Sequence, residues 1–137
     1  MVVAKGKTQR RGGVHTEKHP KSQWGVGSWG RKAGLYMAST VDSTCRVWDC
    51  YVEQPGSMGD CSHLEKLLKK PIELKANELR WLTDSCPHEA IPQTKEGPRQ
   101  FFRLVTSAVD LWYESHSTKN PLVSLPKNVK VIRGNKF

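Results

Sequence analysis

The first 36 residues carry a large excess of positive charge and of glycine, and this constrains the fold more than any other sequence feature. Eight Lys or Arg stand there against one acid, Glu17, and seven of the eleven glycines lie in the same stretch. Glycine loses more conformational entropy on ordering than any other residue, so such a segment does not hold one shape alone. We therefore expect residues 1–36 to be disordered in the free protein and extended in a complex.

Positive charge returns at the other end of the chain. Residues 119–137 carry five basic groups and no acid, whereas residues 37–118 carry nine basic and twelve acidic groups. The net charge of +9 over 137 residues is therefore concentrated at both ends, whereas an ordinary solvated surface mixes the two signs. This distribution predicts a basic extension at 1–36, a core domain at 37–118 and a basic tail at 119–137.

The middle of the chain contains helix and turn signals. Residues 55–59, Pro-Gly-Ser-Met-Gly, predict a turn. Ser62-x-x-Glu65 has the form of a capping box, and the helix that it opens must end near Pro71. A second helix is predicted over 72–85, because apolar residues recur there at helical spacing before a Cys-Pro pair.

The most regular helical pattern begins at Pro98 and ends before Pro121. Six apolar residues follow the i, i+3, i+4, i+7 rule over four turns. Burial of a large apolar side chain stabilises by about 1.5–3 kcal/mol, so this third helix is expected to supply the centre of the core. Its apolar stripe consists of Phe101, Leu104, Val105, Ala108, Val109 and Trp112.

Two segments have strand character. Residues 45–52 are rich in aromatic and β-branched residues, but Val47, Cys50 and Tyr51 also recur at helical spacing, so strand and helix both stay open. Residues 129–133 alternate and predict a strand that joins a sheet of this chain or of a partner. The predicted fold class is therefore mainly α: a small three-helix core with long irregular basic N- and C-terminal extensions, and room for one short strand or hairpin.

Four cysteines raise the question of a metal site. Zn²⁺ takes four Cys or His ligands, and the candidates are two Cys-x-His pairs, Cys61 with His63 and Cys86 with His88. Their spacing matches no standard zinc finger, so we predict no metal and no cofactor. Without a secretory signal, free cysteines that pack as small hydrophobes are favoured over disulfides.

The sequence offers little support for catalysis. Neither a P-loop nor a His-Glu-x-x-His motif occurs. Gly25-x-Gly27-x-x-Gly30 spells the dinucleotide fingerprint, but without the strand before it and the amphipathic helix after it. We expect the protein not to be an enzyme and to have no small-molecule substrate.

The chain shows no targeting or membrane signal. No run approaches the roughly 18 apolar residues of a membrane-spanning helix. Gly12, Gly13 and Pro20 interrupt any amphipathic helix of the transit-peptide type, so we expect the basic N-terminus to be retained. An intracellular protein without a membrane partner is expected, either mitochondrial or cytoplasmic.

The basic ends predict a polyanionic partner. Lys and Arg neutralise phosphates and release counterions, and tryptophans among them are suited to stacking on unpaired bases. We therefore predict a structural, RNA-binding subunit of a large ribonucleoprotein, such as a ribosomal protein, which also contacts neighbouring protein subunits. The predicted RNA-binding residues are Lys5, Lys7, Arg10, Arg11, Lys18, Lys21, Trp24, Trp29, Arg31, Lys32, Lys127, Lys130, Arg133 and Lys136.

Two other functions fit the same composition. A small structural protein could bind an acidic protein lattice such as a microtubule wall, and a viral nucleocapsid-type protein would carry a similar basic arm. Arginine would favour RNA, but the first 36 residues hold three Arg and five Lys, so composition does not separate these alternatives.

Overall fold

The computed structural model describes residues 1–18, 34–106, 111–115 and 117–133. The protein is mainly β, with 30% strand and 8% helix, and the helix in the described ranges is of the 3₁₀ type, at Ser57–Gly59 and Ser62–Leu67. The prediction of a mainly α fold with a three-helix core is therefore wrong. The strands in these ranges are β1 (Val2–Val3), β2 (Gly34–Ser39), β3 (Cys45–Val47), β4 (Ile72–Glu73), β5 (Arg80–Thr83), β6 (His88–Ala90), β7 (Gly97–Pro98), β8 (Phe101–Val105), β9 (Leu111–Tyr113) and β10 (Lys130–Ile132).

A three-stranded antiparallel sheet of order β5-β2-β8 forms one layer. In its central strand, Leu35 pairs with Leu82 of β5 and with Val105 of β8. Leu35 and Met37 are both buried, because alternate residues of a strand point to the same face. One face of this sheet therefore lies in the core.

A second antiparallel sheet, of order β4-β3-β6, completes the main core. Cys45 and Val47 of its central strand are buried and pack with the inner face of the first sheet. Each large side chain enclosed there contributes about 1.5–3 kcal/mol. The cluster consists of Leu35, Met37, Cys45, Val47, Leu74, Leu82 and Cys86, with the partly buried Phe101 packed against it.

Residues 1–18 run antiparallel to residues 84–98 and bond to them along the backbone. β1 pairs with β7, and farther along His15 and His88 exchange two backbone hydrogen bonds of 3.0 and 2.9 Å. Val14 is buried in a second apolar cluster with Trp48, Val52 and Cys61. These first 18 residues are therefore part of the folded protein.

The prediction of a disordered extension over the whole of residues 1–36 does not fit the placement of residues 1–18. Residues 1–18 have no apolar period, but they are ordered by main-chain hydrogen bonds to another part of the chain, which a periodicity does not reveal. Residues 19–33, including the tryptophans and the Gly25-x-Gly27-x-x-Gly30 motif, lie outside the described residues.

The third predicted helix is wrong, because its first turns are strand β8. Burial alternates along this strand: Arg103 points to the buried side, while Phe102 and Leu104 are 51% and 52% exposed. Apolar residues on the solvent side hide the two-residue period, so that a helical spacing arises by coincidence. Trp112 lies in β9, and Ala108 and Val109 fall outside the described residues.

The two shorter helix predictions also need correction. The capping-box segment forms the 3₁₀ helix Ser62–Leu67, in which the Ser62 hydroxyl donates to a carboxylate oxygen of Asp60 at 2.6 Å. The segment 72–85 contains β4 and β5 instead of a helix. No helix within the described ranges is long and apolar enough to span a membrane.

Three local predictions are confirmed or decided. The turn at 55–59 contains the 3₁₀ turn Ser57–Gly59, and the strand at 129–133 is β10, which pairs in parallel with β9. The open question at 45–52 is decided for a strand at its first three residues, β3.

Gly59 fixes the place where the N-terminal segment crosses the turn. Its φ is +74°, and a Cβ added to it would lie 2.2 Å from the carbonyl oxygen of Thr16. Gly59→Ala should therefore lower the free energy of unfolding by more than about 1 kcal/mol, because both the conformation and the space exclude a side chain. Urea unfolding followed by tryptophan fluorescence measures this.

Gly12→Ala is the matched control, because a Cβ at Gly12 meets nothing within 4 Å. Its unfolding free energy should stay within about 0.5 kcal/mol of wild type. Equal urea midpoints for the two variants would show that the contact between Gly59 and Thr16 does not form in solution.

Candidate functional site

A cavity of about 240 Å³ lies between the N-terminal segment and the two main sheets. The N-terminal segment contributes Arg10, Arg11 and His15 to its lining, and β6 contributes His88. Arg99, which precedes β8 in the chain, also lines the cavity. Further lining residues are Glu17, Met37, Cys45, Glu89, Phe101, Arg103 and Tyr113.

Arg99 is the most deeply buried charged group of the cavity. Its side chain is 2% exposed, and its Nε donates to the Ser39 hydroxyl at 3.0 Å. Its Nη2 is buried without a hydrogen-bond partner. A guanidinium stays charged in proteins, so an N–H group without an acceptor is costly at this depth.

Two guanidinium groups lie close to the same aromatic ring. The Cζ atoms of Arg99 and Arg10 are 5.1 and 5.6 Å from the centroid of Phe101. Burial and the neighbouring positive charge of Arg103 lower the pKa of Arg10, and burial followed by the charge of Arg10 lowers that of Arg99. The contacts with the ring partly offset the repulsion between the two cations.

The histidine pair belongs to a polar network that also lines the cavity. The rings of His15 and His88 have centroids 4.6 Å apart. Nδ1 of His15 donates to the carbonyl oxygen of Gly13 at 2.7 Å, and Nδ1 of His88 donates to that of Cys86 at 3.0 Å. In the neutral form of His15, the bond to Gly13 leaves Nε2 as a hydrogen-bond acceptor.

Two carboxylates of the cavity are already paired. Glu17 forms an ion pair with Arg103 and lies 3.6 Å from Nε2 of His88, while Glu89 pairs with Arg46 at the edge of the cavity. Within the described part of the chain, Arg10, Arg11 and Arg99 make no ion pair. The cavity therefore holds an excess of positive charge.

The outer face of the β5-β2-β8 sheet is apolar and accessible. Tyr36 in the central strand pairs with Trp81 on one side and with Leu104 on the other, and directly paired residues face the same side of a sheet. Phe102 follows on this face opposite Ala38. We call Tyr36, Trp81, Phe102 and Leu104 the sheet platform.

Gly34 makes room for the Trp81 indole on this platform. A Cβ on Gly34 would lie 3.0 Å from two atoms of the indole and 2.2 Å from the carbonyl oxygen of Leu82. Trp81 nevertheless keeps 44% of its surface exposed. The indole thus lies close to Gly34 and leaves nearly half of its surface open to a partner.

The predicted RNA-binding residues have different surroundings. Arg10 and Arg11 line the cavity, and Arg11 also donates to the carbonyl oxygen of Met58 at 2.7 Å. Lys18 donates from Nζ to the carbonyl oxygen of Glu53 at 2.8 Å. Lys5, Lys7, Lys127, Lys130 and Arg133 are exposed, as is Arg10, whereas Lys21, Trp24, Trp29, Arg31, Lys32 and Lys136 lie outside the described residues.

The zinc candidates do not come together. Cys61 and Cys86 are buried in different apolar clusters, and His63 is exposed. No group of three or more potential metal ligands occurs among the described residues. The interpretation of cysteines as small packed hydrophobes is confirmed for Cys45, Cys61 and Cys86, which are free and buried.

Several residues of the two surfaces were not identified from the sequence. No role was assigned from the sequence to Trp81, Arg99, Phe102 or Arg103. One signal was present: a charged residue at an inward position of Phe-Phe-Arg-Leu-Val. It becomes visible only once the segment is recognised as a strand.

No protein-family model matches the chain, and no curated protein or solved structure matches it either. A function is therefore inferred from the residues of the chain itself.

The histidine pair predicts a dependence of stability on pH. Burial, followed by the charge of His88, lowers the pKa of His15 from 6.5 to about 4. Between pH 6.5 and 4, His15 binds a proton in the unfolded chain but not in the folded protein. The free energy of unfolding therefore falls as the pH drops from about 6.5 towards 4. Wild type should lose about 2–3 kcal/mol through this group between pH 7 and 4.5.

His15→Gln should remove this part of the loss, as measured by urea unfolding at the two pH values. His63→Gln, at an exposed position, is the matched control and should keep the wild-type difference. An unchanged pH dependence in His15→Gln would contradict the assignment.

Proposed function

We propose that this protein is a structural, RNA-binding subunit of a larger ribonucleoprotein, and that its sheet platform stacks on unpaired bases. The observation that carries the proposal is a group of aromatic rings on the outward face of three paired strands: Tyr36 lies directly beside Trp81, and Phe102 lies diagonally from Tyr36, opposite Ala38. Phe102 and Trp81 keep about half of their surface accessible. Exposed apolar patches of this kind are typical of binding surfaces.

The spacing of the platform suits a single strand of RNA. Neighbouring strands of a sheet lie about 4.8 Å apart, so rings on adjacent strands can each meet a different base. Aromatic side chains on an open sheet stack on successive bases in the same way in known RNA-binding folds. Every base has a π-face, so this contact tolerates many sequences.

The charge of the chain favours a nucleic acid over an apolar partner. The net charge is +9, and Lys5, Lys7, Lys127 and Lys130 are exposed. Lysines of this kind neutralise phosphates and add an affinity that does not depend on sequence. In such a complex, the bases would stack on the sheet platform and the phosphates would contact the lysines.

Binding to an acidic protein lattice is the alternative. It uses the same lysines, but an acidic peptide has no flat rings for the platform to stack on. Polyglutamate should therefore compete poorly with single-stranded RNA for the protein, and aromatic substitutions should matter little for its binding.

Phe102→Ala and Trp81→Ala test the platform. Each should weaken binding to a labelled 12-nucleotide single-stranded RNA by about 1–3 kcal/mol, as measured by fluorescence anisotropy, because one stacked base is lost. The slope of log K against log salt should stay unchanged. Lys130→Gln should instead flatten this slope by about 0.7 for one lost phosphate contact.

Tyr51→Ala is the matched control for Phe102→Ala. Its ring is 48% exposed, close to the 51% of Phe102, but it lies in the loop after β3 and not on the platform. Wild-type affinity is expected for this variant. Folded platform variants that bind RNA like wild type would rule out the platform, and a wild-type protein that prefers polyglutamate would favour the lattice alternative.

A further inference from the structure

We infer that the arginine-lined cavity binds a phosphate monoester on a compact organic group, with Arg99 as the buried anchor for the phosphate. The inference begins with the surroundings of Arg99. Arg99 is 2% exposed, lines the cavity and has a buried Nη2 without an acceptor. Buried charges in proteins are normally paired, so an anion from outside the chain is the missing partner.

The charges around the cavity favour a dianion. Arg10, Arg11 and Arg99 line it without an ion pair in the described ranges, while both carboxylates of the lining are held by other arginines. A phosphate monoester carries a charge of about −1.5 to −2 at neutral pH and three acceptor oxygens. A carboxylate offers one charge and two oxygens, so it would leave more of the guanidinium groups unsatisfied. The planar fork of arginine matches phosphate oxygens in pairs.

The size and the walls of the cavity favour an ester over inorganic phosphate. Its volume is about 240 Å³, and Met37, Cys45 and Phe101 give it an apolar side. A cavity of about 150 Å³ holds one benzene molecule. The site therefore has room for a phosphate together with about one small ring, and the apolar wall would stay unfilled around a bare phosphate ion.

The cavity is accessible from solvent on the side of the N-terminal segment. Arg10 is exposed although it lines the cavity, whereas Arg99 lies at the buried end. A phosphate can thus enter past Arg10 and reach Arg99, with both guanidinium groups placed about the Phe101 ring. This geometry suits a terminal phosphate, because a phosphodiester within a chain would have to bring in two ester groups.

A terminal phosphate has two sources, a free small ester and the 5′ end of an RNA. The RNA source rests on the proposed function, whereas the free ester does not. Two probes separate them: phenyl phosphate, measured by isothermal titration, and a 12-nucleotide single-stranded RNA with either a 5′-phosphate or a 5′-hydroxyl, measured by anisotropy.

Arg10→Gln and Arg99→Met test the two ends of the cavity. Loss of one charge-assisted hydrogen bond should weaken phenyl phosphate binding about ten- to a hundredfold. Lys66→Gln removes the same charge at an exposed position on the 3₁₀ helix Ser62–Leu67 and should change binding less than twofold. Arg99→Met should keep or raise the melting temperature of the unliganded protein, because it removes a buried unpaired N–H group. Should Arg99→Met fail to fold, the exposed Arg10 still carries the test.

Each outcome decides something. An Arg10-dependent preference of at least tenfold for the 5′-phosphorylated RNA identifies the end of an RNA as the ligand. Arg10-dependent binding of phenyl phosphate, with no difference between the two RNAs, identifies a free ester. Binding of 5′-hydroxyl RNA without any phosphate effect overturns the inference and leaves the proposed function in place. Binding of phenyl phosphate without binding of RNA supports the phosphate site and overturns the proposed function. Equal effects of Arg10→Gln and Lys66→Gln on binding show that the cavity is not the site.

Discussion

The antiparallel pairing of residues 1–18 with residues 84–98 is the interaction on which the rest of the structure depends. The strands of the described chain are two to six residues long, and strands this short are stable only when several elements pack together. The N-terminal segment pairs with β6 and β7 through its backbone and buries Val14 against Trp48. It also closes one side of the cavity, where Arg10 and His15 face Arg99 and His88. Fold and candidate site thus share one element.

Features that depend on local residue types could be predicted from the sequence, whereas this long-range pairing could not. A turn at 55–59 and a strand at 129–133 depend on local residue types, and both predictions are confirmed. The order of residues 1–18 depends on main-chain hydrogen bonds to a segment about 80 residues away, which no local pattern encodes. Arg10 and Arg11 were identified as anion-binding candidates from their charge alone. Arg99 was not, because its position beside Arg10 at the Phe101 ring follows from the sheet topology.

The misassigned helix has a second physical cause. In β8 the apolar Phe102 and Leu104 face outwards and the charged Arg103 faces inwards, the reverse of an ordinary half-buried strand. A strand with apolar residues on its outer face and a charged residue on its inner face lacks the alternation of apolar and polar residues that would identify it as a strand. Both irregular features belong to candidate sites, since Phe102 is part of the platform and Arg103 lines the cavity. Disagreement between sequence pattern and fold is expected where residues are kept for binding.

The order of synthesis gives the N-terminal segment an unusual position. Residues 1–18 are synthesised before the segment that they pair with, and β7, with which β1 pairs, is made about 95 residues after β1. Closing so long a loop costs entropy before any contact repays it, and topologies dominated by distant pairing fold slowly. Until β7 has been made, residues 1–18 therefore lack this pairing partner and expose a row of basic side chains. In a cell, a nascent chain of this kind would need protection from other unpaired strands until residues 84–98 have been made.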